Sequence, residues 1–155
     1  MNPLLKRALA LPQAIYAAGA GRVLGHRFLL LVHRGRRSGR SHRTVLEVIE
    51  WRPAEREAIV ISGFGPHAQW LRNVAAAGGA AEIEIAGSRV RACMRLLDRD
   101  EAIAVLAGYE RRNRLITTIV RRVLSRLAGF RYDGSLAARA RVVQTLPLVG
   151  FRARD

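Results

Sequence analysis

An unbroken apolar run from Phe28 to Val32, continued by His33 and Arg34, has strand length and predicts a buried strand over 28–34. Residues 43–51 alternate instead. Val45, Glu47 and Ile49 oppose Thr44, Leu46, Val48 and Glu50, as in a strand between two environments. A polar connection around Pro53 leads to a third strand over 57–62, and the three make an antiparallel meander. Pro66 or His67 then opens a short helix in which Trp70, Leu71, Val74 and Ala75 recur at helical spacing, and Gly78-Gly79 ends it. Two alternating runs, 80–86 and 89–97, flank Gly87-Ser88, which reads as a two-residue hairpin turn.

The later part of the chain changes period. Asp98 and Glu101 form a capping pair for a helix to about Tyr109. Between 114 and 127 the helical period is clearest. Leu115, Ile116, Ile119, Val120, Val123, Leu124 and Leu127 fall on one stripe and Arg114, Arg121, Arg122, Ser125 and Arg126 on the other face. Gly129 is the expected cap, Asp133 opens a further helix through Val143, and residues 146–151 supply a closing strand. Strands first and helices inserted late give an α+β barrel of about six mostly antiparallel strands. Residues 1–25 read as a separate helical segment broken near Pro12, and 26–155 as the barrel domain with a helical insertion at about 98–144. The N-terminal segment either lays Lys6, Arg7 and Arg22 against anionic headgroups or covers one end of the barrel.

Composition narrows the partners. The 155 residues are 50% hydrophobic and 25% charged, a globular balance. The formal net charge is +15, and Lys6 is the only lysine among 27 basic residues. Such a field favours phosphorylated cofactors, acidic lipid or nucleic acid. Arg22, His26 and Arg27 interrupt the apolar N-terminus before it reaches bilayer length, and Pro12 and Gln13 spoil its likeness to a signal peptide. Cys93 is the only cysteine, so no internal disulfide forms; it reads as a small core residue. The expected location is cytoplasmic, with peripheral contact on the inner membrane face.

Two loops carry the candidate chemistry. In the first, Gly35 and Gly39 bracket Arg36, Arg37 and Ser38, with Arg40 following. Glycines there allow a tight anion-binding turn, and each arginine offers forked donors to phosphate or carboxylate. A solvated arginine-rich hairpin is the plain alternative. The spacing is neither a Walker loop nor GxGxxG. The second loop is Ser62-Gly63-Phe64-Gly65-Pro66-His67, followed by Trp70 and Asn73. It offers backbone donors before a helix, flat apolar rings and one amide, which equally serve as core and turn residues. The four histidines are scattered without metal-ligand spacing, and Ser38 and Ser62 lack a base-and-orienter set. Glu82 and Glu84 read as a solvated edge, and the arginines of 114–127 as a solvated face.

These loops in this order resemble the deazaflavin-dependent nitroreductase family, which includes quinone reductases using reduced coenzyme F-420. The resemblance rests on LLLVHRGRRSGR (29–40), HRTVLEVIE (42–50), SGFGPHAQWLRN (62–73) and AEIEIAGSRVRA (81–92). It extends to the arginine-rich helices at 109–129 and LPLVGF at 146–151, nearly the whole chain. It implies a split β-barrel of the FMN-binding type with the deazaflavin in a groove beside the first strands. Coenzyme F-420 is the expected cofactor, FMN the second choice. Its phosphate and oligoglutamate tail would meet Arg36, Arg37, Ser38, Gly39 and Arg40. Backbone groups around Val45, Leu46 and Ser62–Gly65, with Phe64, Trp70 and Asn73, would hold the ring. In such enzymes hydride passes from the reduced cofactor's C5 to a quinone, nitro compound or activated alkene, which needs no acid–base pair from the protein. Glu47 would place a carboxylate in a strand bordering that groove. A small hydrophobic or quinone-like substrate and a homodimer complete the expectation; nucleic acid does not fit, because a charge footprint needs no paired glycine turns. Two other readings remain: a non-catalytic barrel for a lipid or flavin-like ligand, and a basic surface-binding protein.

Overall fold

The computed structural model describes residues 21–155. The expected N-terminal helix, with its membrane-contacting or barrel-covering role, lies up to residue 20 outside the described residues. From Phe28 onward the strands form a closed antiparallel barrel in the order β1-β2-β3-β6-β5-β4. They are β1 (Phe28–Arg34), β2 (Ser41–Arg52), β3 (Glu57–Ile61), β4 (Ala80–Ile85), β5 (Ser88–Leu96) and β6 (Leu148–Ala153). β1 has the barrel interior on one face and the helix Gln69–Ala76 packed against the other, which accounts for its lack of alternation. Leu29, Leu31, Val60, Val149 and Phe151 fill the interior, and Trp70 packs tilted on Phe151 with centroids 6.1 Å apart.

Closure alters the reading of Glu82 and Glu84. Strand β4 is paired on both sides, and Arg89 neutralises the two carboxylates at 3.3 and 3.6 Å. The expected solvated edge is therefore an internal strand. β2 outruns its neighbour β3. Its residues Ser41–Glu47 pair with β1 alone, and pairing with β3 begins at Val48 opposite Val60. Among the described residues the far edge of that half-strand has no partner strand.

Four helices are described: α1 (Gln69–Ala76), α2 (Arg99–Arg112), α3 (Thr117–Ala128) and α4 (Leu136–Thr145). Asp98 caps α2 as expected, its carboxylate accepting from the Glu101 amide at 2.9 Å, and Gly129 ends α3 in the left-handed conformation. Two local expectations shift. The β4–β5 turn is Ala86-Gly87, because Ile85 pairs with Ser88 and both turn residues have positive φ, 49° and 79°. Ser135, not Asp133, caps α4; its Oγ accepts from the Ala138 amide while Asp133 ties the preceding turn to the Ser135 amide. The stripe of α3 is also less buried than its period suggests: only Val120 and Leu124 reach the core beside Leu106, Val142 and Leu146.

One end of the barrel is built on a charge. The Glu57 side chain is 0% exposed and accepts two bonds from Arg95, at 2.6 and 3.0 Å, with Arg52 and Arg152 each 3.5 Å away. Arg95 and Arg52 also grip Glu101 of α2, so β2, β3, β5, β6 and α2 meet in one network. Gly150 makes room for it, since a Cβ there would collide with the Glu57 carboxylate. Burial alone would raise the Glu57 pKa, but the Arg95 bonds and the surrounding guanidinium charges hold it below the ordinary 4.5. Glu101, bonded first to Arg95, falls to about 2.

Both acids are depressed in the folded state, so the stability they contribute is complete above pH 4.5 and lost as pH falls through their folded values. Urea unfolding should show a decline as pH falls below about 4.5 that Glu57→Gln makes shallower, with Glu101 carrying the remainder down to about pH 2, and at pH 7 this variant should lose about 3 kcal/mol. Unchanged stability in Glu57→Gln would contradict the network.

Candidate functional site

The β1–β2 connection is a compact loop. Gly35 N–H donates to the Arg40 carbonyl and Gly39 N–H to the Gly35 carbonyl, both at 2.8 Å, and the Ser38 hydroxyl accepts from the Arg40 amide at 3.3 Å. Gly39 takes the expected positive φ of 67°. Gly35 does not; it is required for space, because a Cβ there would meet Ser38 Oγ and His42. Among the described residues nothing accepts from the amides of Arg37 and Ser38, which leaves two backbone donors at the loop tip.

Asn73 joins this loop to α1. Its Oδ1 accepts from the Arg36 amide at 3.2 Å and from Arg36 Nη1 at 2.9 Å. Both partners are donors only, so the amide orientation is fixed and Nδ2 must donate to His33 Nδ1, 3.1 Å away. His33 is thereby the Nε2–H tautomer, which donates to Thr44 Oγ1 at 3.0 Å. A single directed relay, Arg36–Asn73–His33–Thr44, binds loop, helix and both strands. Gln69, one turn before Asn73, takes a further bond from Arg36 at 2.9 Å.

Around this relay lies a groove of about 820 Å³ between the loop, β2 and α1. Its cations are Arg36, Arg37, Arg43 and Arg72, with His33, His42 and His67 beside them. Among the described residues no carboxylate lines it. The Arg36 guanidinium is held below its ordinary value by desolvation and by the charges of Arg72 and Arg37. The cations therefore face one another with only neutral amides between them, an arrangement that an anion relieves.

The structure brings Arg36, Arg37, Ser38, Phe64, Trp70 and Asn73 to the groove wall. Trp70 is mostly core and shows an edge there, whereas Phe64 is 86% exposed and presents its ring. Gly39 and Arg40 stand behind the wall and shape the loop. Val45 and Leu46 lie farther along β2, opposite Leu30 and Leu29, on the half-strand with an open far side. Ser62, Gly63 and Gly65 form the turn beneath Phe64: the buried Ser62 hydroxyl donates to the Gly65 carbonyl at 2.6 Å, and Gly63 packs on Leu127 of α3.

The histidines set aside as scattered are partly assembled. His33 and His42 stack at 5.6 Å, and His67 lines the same groove. No three His, Cys, Asp or Glu side chains converge as metal ligands among the described residues. Residues missed from sequence, His42, Arg43, Thr44, Gln69 and Arg72, sit on one end of β2 and one face of α1. The spacing of Gln69, Arg72 and Asn73 at i, i+3 and i+4 was the available signal.

Beyond the Ser62–Gly65 turn is a second, apolar pocket of about 260 Å³, bounded by Ile49, Ile61, Leu106 and the stripe of α3. Glu47 points here and not into the basic groove. Its Oε1 accepts from the Tyr109 hydroxyl at 2.7 Å, and burial together with the Glu47 charge pushes Tyr109 well above its ordinary value. The carboxylate expected beside the groove is thus tied to α2.

A model of the F420H(2)-dependent quinone reductase family matches residues 10–120. Among solved structures, a protein of unknown function from Agrobacterium tumefaciens aligns with a TM-score of 0.55 at 11% identity, over 92% of this chain and 55% of that one. The chain thus spans about half the length of that relative. The heme storage protein HutZ from Vibrio cholerae aligns with a TM-score of 0.50 at 14% identity, over 90% and 89% of the two chains. A protein described as an F420-H2 dependent reductase, FDR-A, aligns at 0.45 and 15% identity, over 81% and 94%. At such identities the two likenesses with TM-scores of 0.50 and above show a shared fold alone. No curated protein matches the chain.

The relay makes a pH prediction. His33 is lowered from the ordinary 6.5 by burial and then by His42, and its Nδ1 must stay unprotonated to accept from Asn73. Folded-state stability is therefore complete above pH 6.5 and declines as pH falls below it. In NMR titration the His33 imidazole should protonate below the ordinary 6.5, with the Asn73 side-chain amide signals moving in step. Asn73→Ala should cost about 1–3 kcal/mol of stability. A His33 titrating above 6.5 would contradict the tautomer.

Proposed function

The chain belongs to the family of F420H(2)-dependent quinone reductases, oxidoreductases whose cofactor is coenzyme F420, and from that premise we propose that the basic groove beside β1 holds this cofactor and that a quinone-class acceptor enters from the adjoining apolar pocket. The observation that carries the reading is the groove's charge: Arg36, Arg37, Arg43 and Arg72 without a carboxylate among them. A phosphate bearing an oligoglutamate tail is a distributed polyanion, and cations spread along a groove suit it better than they suit the single phosphate of FMN.

The residues divide by task. Arg36 is pre-set by Asn73 and Gln69, so little side-chain freedom is lost when it meets an anion. Arg37 and Ser38 add a guanidinium and two amides that no described residue accepts from, at the loop tip. Gly39 and Arg40 shape that loop. The open far side of β2 around Val45 and Leu46, with Phe64 and the edge of Trp70, offers backbone and apolar surface to a ring. Ser62, Gly63 and Gly65 hold Phe64 at the groove, with Gly63 beside Leu127 of the apolar pocket's wall. When bound, the cofactor supplies the hydride; the chain binds, orients and screens from water. Nitro compounds and activated alkenes share the electron-poor centre of a quinone and belong in the same assay.

Oxidation of reduced coenzyme F420 by menadione, followed by absorbance, tests the assignment. Arg37→Ala and Arg72→Ala should each raise KM for the cofactor about tenfold, roughly 1.4 kcal/mol, with kcat little changed. The effect should shrink as salt rises, since screening already weakens the wild type. Unaltered KM in both variants would place the cofactor elsewhere.

A further inference from the structure

Helix α3 exposes the apolar stripe that its sequence pattern would bury. Leu115 in the preceding turn is fully exposed, Ile119 is 59% exposed, and Ile116, Val123 and Leu127 also face outward. Leu115, Ile119, Val123 and Leu127 recur at i and i+4 along one line, and Ile116, Ile119, Val123 and Leu127 line the apolar pocket. At about 100° per residue, Arg122 and Arg126 fall on the solvent edge of this line, opposite the core-facing Val120 and Leu124.

The arginines continue into a neighbouring groove of about 770 Å³ with Arg121 and Arg131. Arg121 lies beside Asp133 and stacks over Gly134. Among the described residues no carboxylate bonds Arg122, Arg126 or Arg131. An apolar stripe edged by unpaired cations is the pattern of a helix lying in a bilayer interface, apolar residues in the acyl boundary and guanidinium groups at headgroup depth. No helix among the described residues is long and apolar enough to cross a membrane.

We propose that α3 and the Arg114–Ile116 turn before it form an in-plane docking surface for an anionic lipid bilayer. Charge selects this occupant. A second copy would bring like arginines together on chains that each carry +15. The chain's own first 20 residues contain no aspartate or glutamate to answer the arginines. An anionic leaflet answers both the stripe and its edge. Docked this way, the apolar pocket opens toward the acyl region, so an apolar acceptor reaches it without crossing water. The docking itself requires neither cofactor nor turnover, so its failure and that of the redox reading are separate results.

The full chain, without cofactor, is sedimented with vesicles of phosphatidylglycerol and phosphatidylcholine and with vesicles of phosphatidylcholine alone. It should pellet with the anionic vesicles and stay in solution with the neutral ones. Leu115→Ser/Ile119→Ser and Arg122→Gln/Arg126→Gln should each lower the partition coefficient at least tenfold. Melting temperatures should hold, since these side chains lie outside the core. Binding by both double variants as tight as the wild type would overturn the proposal and leave residues 1–20 as the attachment. A failure of the wild type to pellet with either vesicle would overturn it too. So would a dimer in sedimentation velocity that Leu115→Ser/Ile119→Ser dissociates.

Discussion

The bond from Arg36 to Asn73 sets the direction of the polar contacts around the groove. Arginine is only a donor, so the Asn73 oxygen must face it, the Asn73 nitrogen must face His33, and His33 must offer a bare Nδ1 and pass its proton toward Thr44. The same bond closes the β1–β2 loop onto α1 and so creates the groove. It also holds one cation in place before any ligand arrives, against the push of Arg72 and Arg37. A loop of this composition left to itself would be a solvated hairpin; the buried amide fixes it against α1 and leaves a cationic groove beside it.

Charge is divided unequally between the two ends of the barrel. Of 12 acidic residues, Glu57 and Glu101 are bound into the guanidinium network at one end, Glu110 ties α2 to Tyr132 and Arg139, and Glu47 is held by Tyr109. Among the described residues neither the groove nor α3 carries a carboxylate. The arginines therefore do two kinds of work. Where a carboxylate is buried beside them they fix strands and helix together, and where none is present they leave a positive field for an anionic partner.

Much of the architecture was legible in the chain because hydrophobic period reports local environment directly. The apolar run of β1, the alternation of β4 and β5, the Asp98 cap and the Gly129 stop all appear where the pattern puts them. The turn at Ala86-Gly87 and the Ser135 cap were displaced by one or two positions, because register and cap geometry depend on the partner strand and the next turn. The glycine loops and Asn73 were visible as candidates. Thr44, Gln69, Arg72 and the relay through His33 were not, since a relay between residues 33, 36, 44 and 73 has no sequence spacing to betray it. Glu57 was hidden for a related reason: a charge at a strand start looks solvated until four other elements close over it. Exposure of the α3 stripe was hidden as well. Period identifies an apolar face and does not say whether protein covers it.

The most direct measurement is a crystal structure of the protein with coenzyme F420. The account predicts that the cofactor lies in the groove between the Gly35–Gly39 loop, β2 and α1, with its anionic groups on Arg36, Arg37 or Arg72 and Asn73 still bonded to Arg36. A cofactor found instead in the apolar pocket beneath α3, or on the arginines of α3, would contradict it.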